Sequence, residues 1–161
     1  MSLLTKICAR ADLVDRCAAA TRPLVFTNGV FDILHRGHVE YLERARALGA
    51  TLVVGVNTDR SARGLDKGPG KPFNTESDRA TLLAALESVS AVVMFDERNP
   101  VELIRIIRPD IYVKGGDYDL NALPEAPVMQ ELGGRTVILP FSAGYSTSSL
   151  VERIRSGTGG L

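Results

Sequence analysis

The chain has 161 residues, 45% of them apolar and 24% charged, which is enough material for one packed α/β domain over residues 1–161. Nineteen basic residues balance nineteen acidic ones, so no broad positive field points to nucleic acid or to a membrane surface, and any phosphate binding must be local. No apolar run approaches the roughly 18 residues that a membrane helix needs. The opening MSLLTKICARADLVDRC carries charges where a signal peptide has its apolar core, so a cytoplasmic protein is expected.

In chain order, a helical segment is predicted over residues 1–20, with its helix over 5–19. It holds Cys8 and Cys17, about 13 Å apart at 1.5 Å rise per residue, too far for a disulfide. PLVFT at 23–27 reads as a first strand buried on both faces. A helix follows from Gly37, with Val39, Leu42, Ala45 and Leu48 on one face and Gly49 as its stop. TLVVGVN from Thr51 is the second strand, and a Gly- and Pro-rich polar loop covers 64–72.

Thr75 and Asp78 form a capping box for a helix whose buried stripe is Leu82, Leu83, Leu86 and Val89. AVVMF from Ala91 is the third strand, and Asn99 with Pro100 opens a helix holding Leu103, Ile104 and Ile107. The fourth strand covers 111–113, a short helix 125–132, the fifth strand starts at Thr136, and a last helix covers 148–155. Residues 156–161 are expected to fray. The alternation predicts an α/β fold: a Rossmann-like, doubly wound sheet of five parallel strands, with ligands beyond the carboxyl ends of the strands.

The loop after the first strand, TNGVFDILHRGH, holds both histidines of the chain, His35 and His38. A spacing of three puts them on one side of a helical turn. Gly37 between them admits a ligand to the backbone, and the helix N-terminus adds free N–H groups. Together with backbone amides around Asn28, Gly29 and Phe31, this suits a polyphosphate. Asp32, His35 and His38 as three zinc ligands would have to converge, and Asp32 precedes the helix. The favoured alternatives for Asp32 are a loop anchor or a partner of magnesium. Near the C-terminus, GYSTSSLVERI places Tyr145 and the hydroxyls of Ser146, Thr147 and Ser148 at the start of a helix, where they either cap it or bind ligand.

FDILHRGH resembles the H-x-G-H signature of the nucleotidyltransferase superfamily that includes the cytidylyltransferases, and GYSTSSLVERI resembles its second signature. VVGVNTDRSARGLDKGPGKPFN and YVKGGDY, with the TNGVFD opening, resemble the branch that adenylylates heptose phosphates. The resemblance implies transfer of AMP from ATP to D-glycero-β-D-manno-heptose 1-phosphate, with Mg2+ carried by ATP, to make ADP-heptose for the lipopolysaccharide core. Many relatives fuse such a domain to a sugar kinase. This length leaves no room for one, so a stand-alone form is expected; a homodimer is common in the family, and no motif of this sequence marks one. His35, His38, Lys71 and Thr147 are the implied catalytic residues. Lys114, Gly116 and Asp117 join the ATP site, and Asp32, Asn57, Asp59, Lys71 and Arg79 the sugar-phosphate site.

Departures are Lys71 where the family often has Arg, one extra residue in LDKGPGKPFN, and Thr147 followed by Ser148 where two threonines are common. The competing readings are a cytidylyltransferase acting on a polyol phosphate such as glycerol 3-phosphate and a non-catalytic flavodoxin-like module. The first commonly carries an arginine where this chain has Phe141, Ser142 and Ala143. The second gives no reason for two histidines in the first loop. GPGKPF lacks the Ser or Thr that follows the lysine of a Walker loop.

Overall fold

Neighbouring residues of a strand point to opposite faces, and both faces of this sheet are covered. In the computed structural model, which describes residues 2–65 and 68–157, β2 (Leu24–Gly29), β3 (Thr51–Asn57), β4 (Ala91–Phe95), β5 (Ile111–Gly115) and β6 (Arg135–Leu139) are all parallel. A sixth strand, β1 (Ile7–Cys8), pairs with the outer edge of β4 and gives the order β1-β4-β3-β2-β5-β6. The expectation of five strands is thereby corrected to six.

The same segment corrects the leading helix. Residues 5–19 form a 3-10 turn, the two-residue β1, a second 3-10 turn and only then α1 (Leu13–Ala18). Burial explains the break: Cys8 is placed in the core as a strand residue, and Leu13 and Cys17 are placed there from α1. Both cysteines are buried free thiols, although the helical spacing used to separate them does not exist. Burial raises the Cys8 thiol and pushes that of Cys17 up to about 11, so neither is a ready nucleophile.

Leu24, Phe26, Val53, Val93, Phe95 and Tyr112 face a core shared with α1, α5 (Val101–Ile107) and α6 (Glu125–Glu131). Val25, Leu52, Val54, Val92 and Val113 face the opposite core, against α2 (Arg36–Arg46) and α4 (Glu76–Ala84). In α2 the buried residues are Gly37, Tyr41, Leu42 and Ala45, with Val39 half-buried; Leu48, also half-buried, lies in the turn beyond its end. In the segment of α4, Leu83 and Val89 are buried, Leu86 is half-buried and Leu82 is exposed, which corrects the expected stripe. The buried stripe of α4 is Arg79, Ala80, Leu83 and Ala84, spaced i, i+1, i+4, i+5, and Leu82 falls outside it.

A further helix, α3 (Asp59–Gly64), follows β3, and α7 (Thr147–Ser156) ends the fold with Gly157 as its left-handed cap. Residues 158–161 of the tail expected to fray lie outside the described residues. The chain runs outward from β2 through β3 to β4, then returns to place β5 on the other side of β2. The switch in strand order therefore lies between β2 and β5, and a crevice opens beyond their carboxyl ends.

Candidate active site

Two adjoining cavities occupy this crevice. The larger, about 530 Å3, is lined by Asn28 and Gly29 at the end of β2, Asn57 at the end of β3, and Lys114 and Gly115 at the end of β5. The smaller, about 320 Å3, takes in Asp32, Lys71, Thr147 and Ser148. Val30, Phe31 and His38 line both and so stand at the junction.

His35 is the N-cap of α2, with no side-chain cap bond. His38 sits one turn on, and the two rings stack with centroids 3.8 Å apart. The stack stands at the N-terminus of an eleven-residue helix, where first-turn amides and the helix dipole favour phosphate. The backbone packs closely here: a Cβ at Gly37 would lie 2.8 Å from Cβ of Tyr145 and 3.1 Å from the His35 ring. His35 Nδ1 is buried with no hydrogen-bond partner among the described residues, and burial holds the ring's pKa below its ordinary value.

Phe31 has φ 50°, a left-handed conformation that a bulky side chain adopts only when its surroundings impose it. Two buried groups do so. Arg79, fully buried, donates to Val30 O at 2.7 Å, to Asn74 O at 3.1 Å and to Asp59 Oδ1 at 2.8 Å. Asp32 accepts the backbone N–H of Phe73 at 2.8 Å and of Asn74 at 2.9 Å. These bonds pin the loop that carries Lys71 to the loop that carries the histidines. Lys71 Nζ then reaches Ser148 Oγ at 3.4 Å, across to the start of α7.

The structure thus brings together Asn28, Gly29, Phe31, His38, Asn57, Lys71, Lys114, Thr147 and Ser148, with Asp32 as the loop anchor. It places others elsewhere. Arg79, expected on a helix surface or against the sugar phosphate, is an internal brace, and Asp59 is its partner. Asp117 is exposed and lines neither cavity. Gly116 makes the turn after β5 at φ 120°. Ser146 is the N-cap of α7 and accepts from Ser149 N at 3.0 Å, so its hydroxyl is engaged in capping. Tyr145 is 40% exposed beneath the Arg36 guanidinium. Among the described residues no cluster of three His, Cys, Asp or Glu is arranged to hold a metal ion.

Sequence reasoning missed Glu125, Tyr112 and the place of Phe141. The aromatic ring of Phe141 lies against Gly115, where a Cβ would come within 2.5 Å of it. The paired glycines were the available signal for that approach. Nothing marks Glu125 as the 1% exposed residue it is, because a Glu at the first turn of a helix ordinarily faces water.

The cytidylyltransferase-like family model matches residues 26–153, a span containing every expected site residue. The chain belongs to the cytidylyltransferase-like family. It is 57% identical to the D-beta-D-heptose 1-phosphate adenylyltransferase of Bordetella bronchiseptica over 155 residues, covering 95% of this chain and 96% of that one. It is 46% identical to the bifunctional protein HldE of Koribacter versatilis over 151 residues, covering 92% of this chain but 31% of that protein. Among solved structures, the lipopolysaccharide core biosynthesis protein of Thermoplasma volcanium superposes with a TM-score of 0.63 at 33% identity, covering 74% of this chain and 95% of that one. No helix among the described residues is long and apolar enough to cross a membrane.

Proposed function

We propose that the protein transfers AMP from ATP to D-glycero-β-D-manno-heptose 1-phosphate, forming ADP-heptose and pyrophosphate for lipopolysaccharide core synthesis in the cytoplasm. The observation that carries this reading is the stacked pair His35 and His38 at the N-terminus of α2, with His38 at the junction of the two cavities. The high identity to a heptose 1-phosphate adenylyltransferase over nearly the whole of both chains supports the choice of substrates.

A phosphate oxygen of the sugar attacks the α-phosphorus of ATP. The new P–O bond forms as the bond to the β-phosphate oxygen breaks, and the electron pair leaves with pyrophosphate. The nucleophile is already ionised at neutral pH, so the protein supplies position and charge stabilisation rather than a general base. The histidines and the α2 amides hold the triphosphate from one side. Lys71, Thr147 and Ser148 approach it from the other side of the smaller cavity. Magnesium arrives as part of the MgATP substrate. The Asp32 carboxylate accepts the amides of Phe73 and Asn74, which supports a role as loop anchor.

Initial rates of pyrophosphate release test the assignment. With heptose 1-phosphate as acceptor, kcat/KM for ATP should exceed that for CTP by at least about tenfold, or roughly 1.4 kcal/mol of discrimination. The segment from Val137 to Ser149 contains no arginine, whose fixed fork of donors suits the cytosine carbonyl. A preference for CTP with glycerol 3-phosphate would assign the chain to a different branch of its family.

A further inference from the structure

Lys114 and Glu125 form an ion pair at 3.4 Å in the wall of the larger cavity. The Lys114 side chain is 21% exposed and that of Glu125 only 2%. The ammonium also lies 5.4 Å from the ring centre of Tyr118. Glu125 Oε2 is buried and has no hydrogen-bond partner among the described residues. The Tyr112 hydroxyl donates to Asn28 Oδ1 at 2.8 Å.

A buried carboxylate survives only beside a compensating charge, and here it cancels the charge of Lys114. That changes what Lys114 can bind. Lys71, by contrast, has no carboxylate partner among the described residues, and its hydrogen bond goes to the hydroxyl of Ser148. Among the described residues of the smaller cavity, Lys71 is thus the cation that can meet phosphates, the Asp32 carboxylate being taken up by the amides of Phe73 and Asn74. The larger cavity also takes in Arg98, but at the Lys114–Glu125 pair its wall carries no net charge, and the amides of Asn28 and Asn57 add hydrogen-bonding groups to the lining.

We infer that Lys114 and Glu125 form a neutral polyol subsite that holds the hydroxyl groups of the acceptor sugar and disfavours an acceptor carrying a second anion there. This rests on the sugar-phosphate acceptor proposed above. Lys114 is then a sugar contact rather than a ligand of ATP phosphate, and Glu125 sets its charge balance.

The test uses Glu125→Gln, which keeps size and removes the charge. The KM for heptose 1-phosphate, the KM for ATP, and inhibition by mannose 1-phosphate and mannose 1,6-bisphosphate are measured on both proteins. The variant should raise the heptose-phosphate KM by at least about tenfold, as expected when a site built around hydroxyl groups loses a partner. The ATP KM should stay within about twofold. The uncompensated Lys114 should also welcome the second phosphate, lowering the ratio of bisphosphate to monophosphate Ki by about tenfold or more. A merely structural role for Glu125 would leave that ratio alone. An unchanged ratio, or a loss that falls on the ATP KM, overturns the inference.

Should Glu125→Gln not fold, Lys114→Met exposes the opposite charge, and the same ratio should rise; a ratio that stays or falls overturns the inference equally. Calorimetric binding of the two mannose phosphates separates this inference from the assigned activity. Wild-type protein that releases no pyrophosphate would defeat the activity, while the binding ratios still report on the subsite.

Discussion

The imidazole rings of His35 and His38 stack at 3.8 Å, and the His38 ring also meets the edge of Phe31 at 5.3 Å. Ring contacts of this kind contribute about 0.5–1.5 kcal/mol each to stability. A donor aimed at a transferring phosphoryl group contributes about 2.7–4 kcal/mol to the transition state, a factor of roughly 10²–10³ in turnover. His38→Ala should therefore lose roughly 10²–10³ in kcat while its melting temperature falls by only a few degrees. Wild-type turnover in that variant would remove the histidines from the chemistry. His35 adds a pH signature. Its pKa is lowered by burial, so the unfolded chain binds more protons between the folded value and the ordinary value of about 6.5. The stability tied to this ring is present above the ordinary value and is lost as pH falls through that window. A polyphosphate on the α2 N-terminus pulls the other way, because it favours the charged ring. Binding of ATP near pH 6.5 should then take up protons, seen as a binding enthalpy that varies with the ionisation heat of the buffer. Buffer-independent heats would show that ATP does not reach His35. The motif and its spacing were legible in the sequence because a helical turn puts positions three apart on one side. The brace of Arg79 was not legible, since an arginine in the first turn of a helix gives no sign that three acceptors wait inside the fold.

The element most exposed to a single change is the loop of residues 68–74, which carries Lys71 and has little secondary structure of its own. It is anchored where the Asp32 carboxylate accepts the amides of Phe73 and Asn74 and where Arg79 donates to Asn74 O. Asp32→Asn presents an amide NH2 to backbone donors and should cost about 1–3 kcal/mol of stability by leaving buried groups unsatisfied. It should also lower kcat/KM by displacing Lys71 from the smaller cavity. Raising the magnesium concentration discriminates the two roles first open to Asp32. An anchor gives a defect that magnesium leaves untouched, whereas recovery of activity at high magnesium would make Asp32 a ligand of the ion. The strands β2 to β6 were readable because each is an apolar run between turn signals. β1 was not, because two residues carry no periodicity, and the surrounding KICARADLVDRC satisfies a helical pattern equally well. Tertiary pairing with β4 decided the matter.

At the scale of the whole molecule, the two signatures lie more than a hundred residues apart in the chain and meet across the smaller cavity and where Tyr145 packs against Arg36 and Gly37. Their supports are unequal. The α2 helix buries Gly37, Tyr41, Leu42 and Ala45, whereas α7 buries none of its residues and leaves Ile154 68% exposed. Helices with few buried apolar contacts open at low free energy, well below global unfolding. With a formal net charge of zero, no long-range field holds α7 in place either, so docking depends on contacts at its first turn. A triphosphate held by His38 on one side and by Lys71, Thr147 and Ser148 on the other would bridge the two helices. MgATP at about a hundred times its Kd should then stabilise the folded state by about 2.7 kcal/mol. For a chain of this size that corresponds to a rise in Tm of roughly 5–10 °C. Hydrogen exchange locates the effect. Amides of α7 should gain protection on MgATP binding out of proportion to those of β2, β3 and β5, which already open only with the whole fold. Equal gains across the sheet with none in α7 would mean that the nucleotide binds the α2 side alone, and that Thr147 and Ser148 serve only to begin a helix.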